Sequence, residues 1–250
     1  MKAPAALLEI LDLVLPAGCI ACGSWIPARS HAGLVCGPCR SRLKPAPWPR
    51  CPRCHNPLGT GRAPDGECGE CRAWPPCLTY ARSAYLLRRP ADALVHALKY
   101  EGWYELAAEM GRDMARLKLP PEVSAPGSVV VPVPTTVKRV SQRGYNQAEL
   151  LSRSFSAAVR MPLVEALHRP REGATQVALH PSERRANVRG AFVPKPDLIR
   201  SLKGVHAVLV DDVLTTGSTA VAAAAALDEM GVSGVTLVTF ARALPFRRTG

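Results

Sequence analysis

Val208-Leu209-Val210-Asp211-Asp212-Val213-Leu214-Thr215-Thr216-Gly217-Ser218-Thr219 runs from an apolar strand into a helix. The triplet 208–210 reads as a buried strand. Two adjacent carboxylates stand where that strand emerges toward solvent, and hydroxyls and a glycine lead into a helix N-terminus. Backbone N–H groups and the hydroxyls of Thr215, Thr216, Ser218 and Thr219 make an anion cradle there, and Gly217 lets the backbone approach closely. Asp211 and Asp212 are acceptors for a sugar diol or ligands for Mg2+. The string therefore offers donors for a 5′-phosphate beside acceptors for the attached ribose. Ordinary helix capping explains two or three of these residues but not the whole run. Neither Gly-Lys-Ser/Thr nor Gly-x-Gly-x-x-Gly, the other common phosphate motifs, occurs in the chain.

The surrounding pattern alternates. Strands are predicted at 79–87, 129–133, 205–210 and 235–240. Helices are predicted at 91–118, 146–159 and 218–230. In the first helix Leu94, Leu98, Leu106, Met110, Met114 and Leu117 recur at helical spacing, with Gly102 as a potential break. Short apolar strands between helices imply an α/β fold with a mostly parallel sheet covered on both faces. Ligands of such sheets bind outside the carboxyl ends of the strands.

Four Cys-x2-Cys pairs fill the first third of the chain. Thirteen residues separate Cys19/Cys22 from Cys36/Cys39, and thirteen separate Cys51/Cys54 from Cys68/Cys71. Two such turns supply the four thiolates of a tetrahedral zinc site, so the eight cysteines predict two structural Zn2+ ions. A disulfide framework belongs to small secreted domains, and no secretion signal is apparent: Glu9 and Asp12 interrupt the apolar residues 3–15. Redox Cys-x2-Cys motifs occur singly in a βαβ pattern, which is missing here. Sequential pairing would give two ribbons, interleaved pairing a cross-braced unit; the spacing leaves both open. Leu7, Leu8, Leu11, Val14 and Leu15 mark one face of a short helix. Cys77 is left over as a small apolar residue, and His31 and His55 read as surface residues. Residues 1–78 thus form an N-terminal helix and double zinc-ribbon module, and 79–250 the α/β domain. The expected compartment is cytoplasmic, with no transmembrane segment.

The formal net charge of +12 is unevenly placed. Eight thiolates and two zincs would neutralise the first module. Residues 138–200 carry twelve Lys/Arg against five Asp/Glu, which marks either an anion-binding or nucleic-acid surface or a solvated basic face.

Three more segments accompany the 208–219 string. They are Leu98-Lys99-Tyr100; Val131-Pro132-Val133-Pro134 leading to Arg139 and then Arg143-Gly144-Tyr145-Asn146-Gln147; and Arg184-Arg185-Ala186-Asn187-Val188-Arg189-Gly190-Ala191-Phe192 after Thr175 and Gln176. Residues 208–219 resemble the phosphoribosyl-pyrophosphate (PRPP) signature of type I phosphoribosyltransferases. With the cysteines, nearly the whole chain resembles the ComF family, in which a zinc ribbon precedes a phosphoribosyltransferase-like domain. The resemblance implies PRPP, or another phosphorylated ribose, as a ligand with Mg2+. Asp211 and Asp212 would face the ribose hydroxyls from a solvent-exposed strand end. Thr215, Thr216, Gly217, Ser218 and Thr219 would hold the 5′-phosphate, and Arg139 and Arg143 are candidate diphosphate contacts, against plain solvent-exposed charge. Arg184, Arg185 and Arg189 would close over that site or face nucleic acid, and Asn146 and Gln147 would contact ligand or cap their helix.

For the family's transformation proteins, the resemblance further implies handling of single-stranded DNA in natural competence, with competence-machinery proteins as partners. Trp25, Trp48, Trp74 and Trp103 are the stacking candidates. Two other readings stand beside this one: an active nucleobase phosphoribosyltransferase of salvage with an accessory zinc module, and a zinc-ribbon adaptor on an inert domain.

Overall fold

A computed structural model describes residues 18–26, 33–59, 68–123, 127–169 and 191–244. The expected helix within 3–15, His31, Thr175, Gln176, Arg184, Arg185 and Arg189 lie outside the described residues. Four strands form one parallel sheet in the order β1-β6-β5-β2. They are β1 (Leu78–Leu86), β2 (Ser128–Pro132), β5 (His206–Leu214) and β6 (Gly234–Arg242). A separate two-stranded ladder joins β3 (Leu167–His168) to β4 (Val193–Pro194).

Every residue of β6 is buried, as expected of a central strand covered on both faces. On one face lies α7 (Ser218–Asp228), whose alanines let it sit close against Leu209 and Leu237. On the other lie α2 (Ala91–Tyr100), α3 (Leu106–Ala115) and α5 (Gln147–Val159), with Leu98, Met110, Leu151 and Phe155 over Val208, Val210 and Phe240. The remaining helices, α1 (Gly37–Arg42), α4 (Val137–Arg143) and α6 (Ile199–Leu202), are short. No helix among the described residues is long and apolar enough to cross a membrane.

Two boundaries differ from the sequence expectation. The single helix at 91–118 is two, α2 and α3, turned by Gly102 at φ +74°. The strand expected to stop at 210 continues to Leu214, because β6 keeps pairing with it: Asp211 is in register with Thr239 and Val213 with Ala241. The two acids therefore lie within a strand, and consecutive strand side chains point to opposite faces.

The cysteine-rich segments are built into this sheet rather than tethered to it. The edge strand β1 receives two bonds along its free side, Ala81 N to Arg53 O at 2.9 Å and Leu86 N to Lys44 O at 2.8 Å, which cover an otherwise open edge. Arg53 donates to the Leu78 carbonyl at 2.9 Å, and Arg82 donates to the Arg53 carbonyl at 3.0 Å. Buried Arg242 of β6 donates to the carbonyl of Cys54 at 2.6 Å. The first ribbon docks on α3, where Glu109 accepts from Leu34 N at 2.8 Å and pairs with Arg40.

A charged donor facing a buried carbonyl contributes about 2 kcal/mol. Arg242→Met should lower the urea-unfolding free energy by about that amount and speed zinc release to a chelator. An unchanged midpoint would show that the ribbon does not depend on this contact.

Candidate functional site

The carboxyl ends of β2 and β5 open into a cleft of about 420 Å3. Val133, Pro134 and Thr135 follow β2 on one wall; Asp92, His96, Lys99 and Tyr100 of α2 form another. Asp211 and Asp212 both line it, but their environments differ. Asp212 is 3% exposed, and Lys99 Nζ lies 2.7 Å from its Oδ1. Its Oδ2 is buried with no hydrogen-bond partner among the described residues, as is Thr135 Oγ1 in the same cleft. The expectation of two solvent-facing acids is thus corrected for Asp212, because strand alternation turns it toward α2. Asp211 Oδ1 accepts from Asp212 N at 2.8 Å. Burial, and then the neighbouring Asp212 carboxylate, raise the Asp211 carboxyl to about 7.

Below the acids the chain turns into α7. Gly217, at φ +81°, is the N-cap, a conformation that favours glycine. Thr215 and Thr219 line the cleft, whereas the exposed Thr216 and Ser218 bond each other through their hydroxyls at 2.9 Å. The turn leaves the first N–H groups of an eleven-residue helix without intrahelical partners. A Cβ on Gly217 would come within 3.1 Å of the Trp74 indole. Trp74 stands three residues after Cys71, so the second ribbon forms the floor of the turn.

Arg139 reaches the cleft from α4, whose N-cap Thr136 accepts from Arg139 N at 3.3 Å. Arg143 does not line this cleft. Its guanidinium lies 4.8 Å over the Tyr100 ring and donates to Gln147 Oε1 at 3.0 Å. Asn146 caps α5 by accepting from Ala148 N at 3.1 Å, and its amide donates to the Val133 carbonyl at 3.2 Å. Sequence reasoning placed no site role on Lys99 itself or on Arg169, which also lines the cleft with its guanidinium 5.2 Å over Phe192. The polar stripe of Asp92, His96 and Lys99, opposite Leu94 and Leu98, is the signal that could have found the first. No comparable periodicity marks Arg169.

The cysteines pair sequentially: Cys19, Cys22, Cys36 and Cys39 converge in one group, and Cys51, Cys54, Cys68 and Cys71 in another, with all sulfurs of a group within 4.8 Å of one another. Sulfur separations of 3.8 Å (Cys22–Cys36) and 3.7 Å (Cys51–Cys71 and Cys68–Cys71) match the edge of about 3.8 Å that a tetrahedron with 2.3 Å Zn–S bonds requires. Each set fits one structural zinc. Burial opposes ionisation of Cys51, yet backbone N–H groups of Cys54, Cys68 and Arg53 outweigh it and bring the thiol to about 7. Burial, and then Cys51 itself, push Cys71 up to about 12. A divalent cation relieves that conflict between neighbouring thiolates. Cys77 is half-buried, with its thiol 3.7 Å from the Ala224 carbonyl. His55 is half-buried rather than a surface residue, and burial, with help from Arg82, lowers it to about 4. Trp74 is likewise buried, unlike Trp25, Trp48 and Trp103.

Comparisons with known proteins agree with this architecture. Residues 10–72 match the double zinc ribbon domain, and residues 134–245 match the phosphoribosyl transferase domain. The DNA utilization protein YhgH of Salmonella typhi is 31% identical over 240 residues, covering 93% of this chain and 100% of that protein. Competence protein F of Haemophilus influenzae is 29% identical, covering 84% and 90%, and competence protein ComFC of Bacillus subtilis is 27% identical, covering 82% and 83%. The chain belongs to the ComF family. In this ComF protein the ribbon and the phosphoribosyl transferase domain meet at the turn that precedes α7.

Metal analysis of protein purified without chelator should find two zinc ions per chain, and Cys51→Ser should retain one while destabilising the fold. One zinc or none in the wild type would defeat the double-ribbon assignment. Gly217→Ala combines a strained φ with a 3.1 Å contact on Trp74. It should cost about 1–3 kcal/mol, and a thermal unfolding curve unchanged from wild type would place Trp74 elsewhere.

Proposed function

We propose that this ComF protein binds PRPP or another phosphorylated ribose with Mg2+ in the α2/β5 cleft, and that it handles single-stranded DNA during DNA uptake in natural competence. The observation that carries the first part is the Lys99–Asp212 pair, whose second carboxylate oxygen is buried and unpartnered beside an open helix N-terminus. A buried acceptor without a donor is costly, and a ligand hydroxyl removes that cost. The second part is supported by the names of the relatives, competence protein F, competence protein ComFC and DNA utilization protein. Partners among the competence machinery belong to the same reading.

In this reading the 5′-phosphate rests on the backbone N–H groups at the start of α7, with Thr215 and Thr219 donating from their hydroxyls. Asp211 and Asp212 accept from the ribose hydroxyls. Lys99 holds Asp212 in one orientation. Arg139 and Arg169 stand on the cleft wall where diphosphate charge would need neutralising. Mg2+ would be held by Asp211 together with ligand oxygens and would supply neutralisation of the diphosphate.

A second reading is transfer of the phosphoribosyl group to a nucleobase. The rings of His96 and Tyr100, 5.0 Å apart on the cleft wall, favour it as a stacking surface for a base. There the C1–O bond to diphosphate would break as a C1–N bond formed, the diphosphate leaving with the electron pair. Pyrophosphate release from PRPP against a panel of bases separates transfer from binding alone.

Calorimetric titration with PRPP and Mg2+ tests the site. Asp211→Asn keeps the shape of the cleft and leaves the Lys99–Asp212 pair intact. It should weaken binding at least tenfold, or about 1.4 kcal/mol. Equal affinity in the variant and the wild type would move the site away from β5.

A further inference from the structure

Five large aromatic side chains stand exposed among the described residues, and three of them fall within five consecutive positions: Tyr100 (65% exposed), Trp103 (41%) and Tyr104 (55%). They sit at the corner between α2 and α3, where Gly102 reverses the chain. The corner is held by its own backbone, with Glu101 N bonded to Ala97 O at 3.1 Å and Tyr104 N to Gly102 O at 2.9 Å. Tyr145 braces it from the other side: its hydroxyl donates to the Leu98 carbonyl at 2.6 Å, and its ring meets Tyr104 edge-on at 6.4 Å. Exposing three rings on an ordered corner forgoes the burial that aromatic side chains ordinarily gain, so their position calls for an occupant.

A second groove, of about 450 Å3, lies beside this corner. Tyr100 and Tyr145 line one side, and Arg139, Gln142 and Arg143 of α4 line the other. No residue of α4 is buried, so Arg139 and Arg143 are both accessible to an anion, although Arg143 also stacks over Tyr100 and donates to Gln147. The carboxylate on this groove, Glu101, lies 2.9 Å from His96 Nδ1. Lys99, Tyr100 and Arg139 line both this groove and the phosphoribose cleft, which makes the two spaces continuous.

The geometry points to this groove as a binding track for a short stretch of single-stranded DNA that runs into the phosphoribose cleft, so that the strand and PRPP compete for Lys99 and Arg139. The assignment rests on the single-strand reading given above. The exposed rings of Trp103 and Tyr104 accept unstacked bases of any sequence, while Arg139 and Arg143, the latter stacked over Tyr100, track the phosphates; duplex DNA keeps its bases stacked on one another and out of reach. A peptide would also contact the rings, but the flanking guanidiniums favour a polyanion.

Fluorescence anisotropy with a labelled oligothymidylate tests the track. Replacing Trp103 and Tyr104 together by Ala should weaken oligothymidylate binding about tenfold or more while leaving PRPP affinity unchanged, which also reports that the variant is folded. Arg143→Ala should shallow the dependence of log K on log salt by about 0.7. Saturating PRPP should raise the apparent Kd of the wild type for the oligonucleotide several-fold. If the wild type binds oligothymidylate but the aromatic variant binds it equally well, or if PRPP has no effect, DNA lies on another surface and the track is wrong. If the wild type binds no oligothymidylate even at low salt, the single-strand reading falls and takes the track with it.

Discussion

A buried guanidinium and a carbonyl hold the two halves of this molecule in register. Arg242 ends the central strand β6 in the interior and donates to the carbonyl of Cys54, a ligand of the second tetracysteine site. Arg53 and Arg82 repeat the arrangement at the β1 edge. Charged donors satisfying carbonyls in a low-dielectric setting are strong when made and costly when broken. The ribbon is fixed to the sheet for that reason, and through Trp74 it reaches the turn at Gly217. A metal-held module thus supports the backbone of the turn into α7, although none of its cysteines lines the cleft.

Much of the fold was legible in the chain. The equal thirteen-residue gaps announced two zinc sites, and the alternation of apolar strands with helices announced a parallel sheet. Ligand pairing was not legible, because spacing is the same for sequential and interleaved arrangements; only the convergence of sulfurs in space separates them. The end of β5 was also misjudged. Aspartate is disfavoured in strands, so the run reads as ending at Val210. Continued pairing with β6 overrides that preference and carries the strand to Leu214.

The candidate site was half visible. The string from Asp211 to Thr219 marked acids and hydroxyls that line the cleft, yet treated the acids as alike. Strand alternation makes them different: Asp212 turns inward to Lys99, and Asp211 faces the cleft with a raised carboxyl. Lys99 lies more than a hundred residues away in sequence; the polar stripe of Asp92, His96 and Lys99 marks its face of the helix, but its pairing with Asp212 leaves no local trace. The same holds for the aromatic corner. Trp103 stands out in the sequence as a stacking candidate, but only the fold brings Tyr100 and Tyr104 beside it on one exposed corner.

The central claim is that a phosphorylated ribose sits with its phosphate at the start of α7 and its hydroxyls toward Asp211 and Asp212. Crystals grown with ribose 5-phosphate and Mg2+ test it directly. The account predicts phosphate density against the backbone N–H groups of 216–219 and ribose hydroxyls within hydrogen-bond distance of both carboxylates. Ligand density confined to the groove beside Arg143, or no density at the α7 turn at saturating ligand, would contradict it.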